Sequence, residues 1–552
     1  MSRNGEVVVR NALLWAHTPI RKVHGGMRIR EGKIVEIFRD GRDEPGREGA
    51  VDLGGRHVIP GLIDAHRHFF ISAMGALHGD ARQWTSRHDA LEAIAEACRV
   101  HRPEGGWVFF SGMDHTKWKI PSPPTLEEID AVARGVPVLA ADISWHRGVV
   151  STEALRRTGL KREALRFPGD MDIRRNGSLK GLIWEDAIGR ALFTMCRDVL
   201  VACSDGEKRK IILDEADRCL EVGLTHVHDP GLPFDVQRLM KDAQRDTPLK
   251  MSWSVTAHES LCAPPQTRDH EEALHSDHAP RSVKFFLDGA HRTAASMPAI
   301  AGLKAAYRAA LDSVSGFSPW PLRMLFEQKT ILRGNRIVLP YQRFGDTAEL
   351  VGRARFFTDK GYRLVMHALG NVAAVQASEV VKELGMAGRS SIEHLLVMDD
   401  ESLDAFASCG AVASIQPGFI PGYADAIERM EIFPYLKAFP LRSLAARGVT
   451  VCISSDGPCG ADDPLHNIRR AVDRKKFDGT MLDPDERISE EAAVAAGTVG
   501  NSVSLGIGNE GLSEGAPATF CIVSGDPFDE SSRVDQTWID GGMVWKRNGA
   551  KG

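Results

Sequence analysis

Eight short apolar runs, separated by stretches with a helical pattern, recur through the middle of this 552-residue chain. They occupy residues 57–66, 223–231, 251–259, 282–290, 362–370, 390–397, 410–418 and 448–458. Intervening segments such as NVAAVQASEVVKELGM repeat apolar residues every three or four positions, as amphipathic helices do. Strands that alternate with helices form parallel sheets, and eight such units are typical of a closed barrel. We therefore predict an α/β protein with a (β/α)8 TIM-like barrel over residues 57–507.

The two ends of the chain have a different character from the middle. GEVVVRNALLW near the start and SRVDQTWIDGGMVWKRNG near the end both read as short strands separated by turn residues. We expect residues 1–56 and 508–552 to form one small β-sandwich domain. Residues 72–205 are predicted to be a large insertion after strand 1, which covers the active site, because loops after barrel strands rise above the C-terminal face. The role of a second long connection, 291–345, is open.

Composition excludes several classes of partner. The net charge is -5 and no basic stripe stands out, which argues against binding to nucleic acid. No apolar run is long enough to cross a membrane, and the start has no signal-peptide core. The nine cysteines contain no CxxC pair, so we expect reduced thiols in a cytoplasmic protein. A small-molecule substrate is the expected partner, and a homodimer is expected only from the frequency of two-fold assemblies.

Polar side chains suited to a metal fall at the ends of the apolar runs. His66 and His68 close the first run, and on a strand residues two apart point to the same face. Such a pair occurs often by chance, so by itself it is weak evidence. The later runs add Lys284, His367, His394 and Asp456. A barrel gathers these ends around one axis, where a divalent cation would satisfy groups that are costly to bury alone.

The order HxH, Lys, His, His, Asp resembles the amidohydrolase superfamily. More narrowly, VIPGLIDAHRH, GMDHTKW, ADISWHRGVVSTEAL, VKFFLDGAHRTAA and SSDGPCGADDPL resemble its YtcJ-like branch, which includes N-substituted formamide deformylases. The resemblance implies that His66, His68 and Asp456 hold one metal ion. His367 and His394 would hold a second ion or complete a single site.

Lys284 decides between one ion and two. The resemblance implies that it bridges two ions if its amine has become a carbamate, whereas an unmodified lysine would pair with Asp288 or Asp456 and leave one ion. Zinc is the first expectation because histidine dominates the ligands. The ion would activate water, and Asp456 would take the water proton and pass it to the leaving nitrogen.

This chemistry predicts a hydrolase of non-peptide C–N bonds in amide, N-acyl or N-formyl compounds. Two alternatives are a deaminase or an ester or lactone hydrolase on the same scaffold, which other members of the superfamily exemplify. A third, from a different class, is a metal-binding protein without catalysis. The same scaffold hosts many reactions, so the substrate itself is open.

Further residues are candidates for contact with substrate. His146 and Asp142 lie in the stretch that the family places near the pocket, and His146 is expected to polarise a carbonyl or else to be structural. His228 ends the second run, where it would line the pocket or support a neighbour by a hydrogen bond. Trp118 belongs to an aromatic-rich insertion, whose aromatics line the pocket or form the insertion's own core. His291 is either a pocket group or an exposed loop residue.

Overall fold

Eight parallel strands from the middle of the chain form one sheet that is curved into a barrel. In this computed structural model they run in sheet order from β1 to β8, in the same order as along the chain. Their bounds are β1 Leu62–Asp64, β2 Leu224–Leu232, β3 Lys250–Thr256, β4 Ser282–Phe286, β5 Arg363–Ala368, β6 Ser390–His394, β7 Val412–Ile415 and β8 Val451–Ile453. The predicted TIM-like barrel is therefore confirmed. The residues described are 6–40, 50–75, 79–100, 104–165, 167–174, 178–257, 274–316, 321–322, 329–508 and 510–549.

One expected strand is divided in two. Residues 57–66 were predicted as a single first strand, but His57–Pro60 pairs with strands from the chain ends, and only Leu62–Asp64 belongs to the barrel. Gly61 lies between the two parts, where a side chain would collide with Thr225 and Thr519. The chain therefore passes directly from one sheet into the other.

The seam between β1 and β8 is closed by hydrogen bonds beyond the strands themselves. The Asp456 amide donates to the His66 carbonyl at 2.7 Å, and the His68 amide donates to the Gly457 carbonyl at 2.8 Å. Below them, the buried Asn501 side chain donates to one carbonyl of each strand. These bonds hold the two loops after β1 and β8 side by side.

Helices cover the outside of the barrel, and side-chain caps define where several of them begin. Ser204 and Glu207 form a capping box at one start, and Asp399 and Ser402 form another. The helices of the barrel region are Phe69–Met74, Asp205–Glu221, Phe234–Ala243, Thr347–Thr358, Asn371–Glu383, Asp400–Ala407, Ile420–Arg429, Leu441–Ala446, Pro464–Asp473, Glu490–Ala495 and Asn501–Leu505, with the π-helical turn Ala496–Gly500 between the last two. A two-stranded sheet, Val397–Met398 with Lys437–Ala438, lies among them.

Strands from both chain ends share one sheet. In sheet order they are Gly542–Lys546, Val534–Ile539, Phe520–Val523, His57–Pro60, Glu6–Ala16, Arg21–Arg30 and Lys33–Arg39, and Val51–Asp52 pairs with Glu6–Ala16. Leu14, Val58 and Phe520 are fully buried in its core, and the Phe520 ring stacks on Trp538. The β-sandwich and its boundaries, 1–56 and 508–552, stay a prediction, as do the limits of the barrel and of the insertion.

The long connection after β1 contains a second sheet. Its strands, in sheet order, are Met171–Ile173, Leu179–Trp184, Arg147–Val150, Val138–Asp142, Val108–Met113 and Gly79–Asp80. The helices that accompany it are Arg87–Val100, Leu126–Ala133, Thr152–Thr158 and Glu185–Ala202. The connection after β4 contributes the helix Ala299–Ser315 and a small sheet of Ala294–Pro298, Arg336–Pro340 and Ile331–Arg333.

Short 3-10 turns link several of these elements. They are Glu104–Gly106, His115–Lys117, Arg162–Ala164, Pro168–Asp170, Gln244–Asp246, Pro417–Phe419 and Pro484–Glu486. Across the described ranges, none of the helices has the length and apolar character needed to span a bilayer. The cysteines within these ranges, which exclude Cys262, are free thiols, and all except Cys459 are buried. The cytoplasmic location stays a prediction.

Candidate metal centre

His66, His68 and Asp456 form the centre of a cluster at the C-terminal edge of the barrel. The two histidines lie just beyond the end of β1 rather than on it, and His68 directly precedes the helix Phe69–Met74. Nε2 of each histidine is 3.3 Å from the same oxygen, Oδ1 of Asp456. One ligand atom from each of the three residues lies within 4.8 Å of the other two. This spacing would allow all three to bind one ion.

His394 and His367 extend the cluster across the barrel mouth. His394 is the last residue of β6 and its ring centroid is 4.9 Å from that of His66. The His367 ring, on β5, is 4.4 Å from His394. Nδ1 of His394 is hydrogen-bonded to Gln416 at 2.9 Å, and this bond fixes the orientation of the ring. The structure thus brings together all four predicted histidine ligands.

Lys284 lies on β4 beneath these rings and is fully buried. Burial lowers the pKa of its amine to about 8, even though nearby carboxylates act in the opposite direction. A neutral amine is the form that can react with carbon dioxide, so this environment suits the carbamate predicted from the sequence. Whether the lysine is modified stays a prediction.

Several buried polar atoms in this cluster have no hydrogen-bond partner among the described residues. They are Nζ of Lys284, Nε2 of His367 and Oδ1 of Asp456. A buried polar group without a partner costs free energy, and three such groups at one place need a common explanation. Imidazole nitrogens and a carboxylate oxygen are suitable donors for a divalent cation, so the residues fit a metal.

Glu393 is a member of the site that the sequence reasoning missed. Its Oε2 accepts a hydrogen bond from Nδ1 of His66 at 2.6 Å, and Ser391 donates to its other oxygen. Burial alone would raise the pKa of this carboxyl, but His66 and these hydrogen bonds lower it to about 2. An ionised carboxylate on Nδ1 directs Nε2 of His66 toward Asp456. The available signal was an acidic residue directly before His394 in a short run that also contains two serines, Ser390 and Ser391.

A second carboxylate–histidine pair lies on the inserted segment. Nδ1 of His146 is 2.8 Å from Oε2 of Glu185, and the His146 ring is 5.7 Å from His367. The other oxygen of Glu185 accepts the backbone amides of His291 and Arg292. Glu185 has a φ of 42°, a strained conformation for a residue with a side chain. The sequence reasoning predicted His146 but missed Glu185.

A cavity of about 110 Å³ lies above this candidate metal-binding cluster. His68 and His146 contribute to its wall, together with Trp145 and Leu192 from the inserted segment and Phe286 from the end of β4. The wall is mostly apolar, with a few polar groups near the histidines. Such a cavity would admit a small molecule with an apolar part.

Asp142 and His291 are paired away from the cavity wall. Asp142 is fully buried and accepts hydrogen bonds from Ser144, Arg147 and Nε2 of His291. Neither Asp142 nor His291 is among the described residues that line the cavity. Their observed bonds connect the inserted segment with the loop after β4. Direct contact with substrate stays a prediction for both.

Trp118 and His228 also lie behind the wall. The Trp118 indole donates to the Trp84 carbonyl at 2.8 Å, within the apolar core of the inserted segment. His228 is buried inside the barrel, with its two ring nitrogens hydrogen-bonded to Ser252 and Ser254. Within the described part of the chain, the residue that follows it, Asp229, lines the cavity and His228 does not.

Known proteins resemble this chain over nearly its whole length. The sequence profile described as "Amidohydrolase family" matches residues 49–545. The N-substituted formamide deformylase of Arthrobacter pascens is 24% identical over 530 residues, which cover 91% of this chain and 90% of that protein. YtcJ of Bacillus subtilis (strain 168) is 25% identical over 530 residues, 90% of each chain.

A solved structure has the same fold. The uncharacterized metal-dependent hydrolase of Pyrococcus horikoshii OT3 superposes with a TM-score of 0.68 at 20% identity, covering 95% of this chain and 98% of the other. These matches confirm the resemblance to the YtcJ-like branch that the motifs predicted.

Proposed function

Since this chain belongs to the amidohydrolase family and is a hydrolase, we propose that it cleaves non-peptide C–N bonds of small molecules with the help of a divalent metal. Amide, N-acyl and N-formyl compounds are the proposed substrates. The name of the Arthrobacter pascens relative, an N-substituted formamide deformylase, supports the N-formyl class. The observation that carries the proposal is the convergence of four histidines, one aspartate and one buried lysine below a cavity.

His66, His68 and Asp456 would hold the first ion, and His367 and His394 would hold a second ion or complete the first site. When bound, a divalent ion lowers the pKa of a water ligand to about 7 and polarises a carbonyl oxygen. Zinc is the proposed metal because imidazole nitrogens dominate the donors. A second ion is proposed only with a carbamylated Lys284.

Asp456 is proposed to move the proton. During hydrolysis, the oxygen of water bonds to the carbonyl carbon and the C–N bond breaks. Asp456 takes a proton from that water and delivers it to the leaving nitrogen, which departs as an amine. The carboxylate suits this role because its Oδ1 is buried, lies 3.3 Å from Nε2 of two histidines and has no hydrogen-bond partner among the described residues.

His146 is proposed to stabilise the carbonyl oxygen as negative charge develops on it. Glu185 holds this histidine through Nδ1, and the ring lines the cavity near His367. Burial alone would lower the pKa of the imidazole, but the Glu185 carboxylate raises it above its ordinary value. A positively charged or strongly donating imidazole at that position favours the transition state over the neutral amide.

The test is a substrate screen on protein of known metal content. Zinc-loaded protein is assayed with N-formyl amines, N-acyl amines, lactones, esters and amino-heterocycles, and product amine, acid and ammonia are measured separately. Release of the amine and the acid from an amide supports the proposal. Ammonia from a heterocycle would favour the deaminase alternative, and cleavage of lactones or esters alone would favour the ester or lactone hydrolase.

Two variants separate catalysis from simple metal binding. Asp456→Asn should abolish turnover while much of the metal stays bound, because the histidines remain. Asp217→Asn, which removes a carboxylate from the exposed face of the helix Asp205–Glu221, is the matched control. Full turnover in Asp456→Asn would refute the proton transfer and support a non-catalytic role for this residue.

A further inference from the structure

The charged side chains on the described cavity wall already have partners within the protein. Among the side chains that the structure describes there, His146 is paired with Glu185 at 2.8 Å, and Arg343 forms an ion pair with Asp186. Asp229 accepts two backbone amides, at 3.0 and 3.2 Å. No charge on this part of the wall is left without a partner to bind a charged group of a substrate.

The pair between Asp186 and Arg343 joins two separate segments of the chain. Asp186 lies in the first turn of the helix Glu185–Ala202, and Arg343 lies at the end of the connection after β4. The Arg343 amide donates to the Leu287 carbonyl at 2.8 Å, which fixes the backbone beside the cavity. Both side chains are more than nine-tenths buried, so water screens their attraction little.

The remainder of the wall is apolar. Much of it consists of Phe70, Ile71, Leu192, Phe193, Leu232 and Phe286. These side chains surround the space beside the histidines into which the substituent of a bound amide would extend. An apolar group gains free energy there by leaving water, whereas an ionised group would lose hydration and find no partner.

We propose that this site selects amides whose N-substituent is uncharged and apolar, and that Asp186 sets this selectivity by neutralising Arg343. This inference rests on the proposed function. An unpaired arginine in the wall would bind a carboxylate through its two parallel N–H groups, as arginine does wherever carboxylates are recognised. Because Asp186 forms an ion pair with Arg343, the arginine does not attract substrates with an acidic substituent.

Three compounds with one skeleton test the selectivity. They are N-(2-phenylethyl)formamide and its derivatives with a carboxylate or an aminomethyl group at the para position of the ring. In wild-type enzyme, kcat/KM for the neutral compound should exceed that for each charged compound by about 100-fold or more, because a buried charge without a partner is strongly rejected. A charged compound within tenfold of the neutral one would overturn the inference.

Variants of the pair test the role of Asp186. Asp186→Asn should raise kcat/KM for the carboxylate compound about tenfold or more relative to the neutral one, because the guanidinium of Arg343 loses the carboxylate with which it forms an ion pair. Arg343→Met should instead improve the aminomethyl compound, and the double variant should improve neither. Asp217→Asn is the control for loss of one carboxylate. Unchanged ratios in both single variants would overturn the assignment.

Calorimetry separates this inference from the proposed function. The Kd values of 2-phenylethylamine and 4-(2-aminoethyl)benzoate, the amines that hydrolysis would release, are measured for metal-loaded wild type, Asp186→Asn and the double variant. Tighter binding of the benzoate in Asp186→Asn, lost again in the double variant, supports the inference even if no formamide is hydrolysed. Absence of hydrolysis with every compound would refute the proposed function, and equal benzoate affinity in all three proteins would refute the selectivity.

Discussion

Asn501 should contribute several kcal/mol to stability through the seam of the barrel. Its Nδ2 donates to the Ile63 carbonyl at 2.5 Å and to the Ile453 carbonyl at 2.7 Å, which tie the first and last barrel strands together. Asn501→Ala leaves both buried carbonyls without this donor, at a cost of about 1–3 kcal/mol each. Alanine recovers about 0.5 kcal/mol through its higher helix propensity. We expect a net loss of about 3 kcal/mol in the free energy of unfolding.

Urea unfolding followed by circular dichroism measures this loss, with Ser502→Ala as the matched control. Ser502 is the next residue of the same helix, is also buried, and makes one hydrogen bond to the Val499 carbonyl at 2.7 Å. Its removal should cost less than about 1 kcal/mol, since a bond to the preceding helical turn adds little. A loss below about 0.5 kcal/mol for Asn501→Ala, or equal losses for the two variants, would refute the reasoning about the seam.

Four further outcomes are expected. Glu393→Gln should weaken metal binding about 10–100-fold in a chelator competition, because the negative charge of the carboxylate beside Nδ1 of His66 is lost. Unchanged affinity would contradict this. With bicarbonate present, elemental analysis should give two zinc ions per wild-type chain and one for Lys284→Ala, and one ion in both would favour the unmodified lysine. Zinc removal by a chelator should abolish turnover and zinc should restore it, whereas full activity of metal-free protein would refute metal dependence. His226 is buried and burial holds its pKa well below 6.5, so below that pH the unfolded chain binds a proton that the folded chain does not, and the free energy of unfolding falls as pH decreases. His226→Asn should reduce this slope by about 1.4 kcal/mol per pH unit, measured by urea unfolding at several pH values. An unchanged slope would contradict this assignment.

The barrel and the convergence of its polar residues are predictable because both follow from the arrangement of parallel strands. Parallel strands of a barrel all end at the same rim, so polar residues that close successive apolar runs meet there. The positions of His367 and His394 could therefore be predicted without knowing how the loops fold. His66 and His68 lie beyond the end of β1, so the alternation of a strand does not orient them. The backbone bonds between the loops after β1 and β8 do so instead.

The candidate residues outside the barrel were harder to predict, because contacts between separate segments of the chain position them, even where the residue itself ends a strand, as Asp142 does. Asp142 and His291 lie 149 residues apart, yet they bond to each other at 2.9 Å, and nothing in their local sequence indicates this contact. Trp118 follows the statistical tendency of aromatic residues to fill the core of their own module. A position within a family motif was therefore a less reliable predictor of a site residue than a position at the end of a barrel strand.

Three residues of the candidate site are among the fourteen described residues other than glycine that have a positive φ. His394, Asp456 and Glu185 have φ angles of 78°, 54° and 42°, in a region that residues with a side chain seldom adopt. Local propensity opposes each conformation, so tertiary contacts must hold it. Glu185 is held by His146 and by two backbone amides, and at the facing Gly289 a Cβ atom would lie 2.2 Å from its carboxylate. Such positions cannot be inferred from helix or strand preferences, because the packing that holds them comes from segments distant in the sequence. At Glu185, where the side chain gives no help in adopting this conformation, the bonds to His146 and to the two amides offset its cost and hold the carboxylate in place.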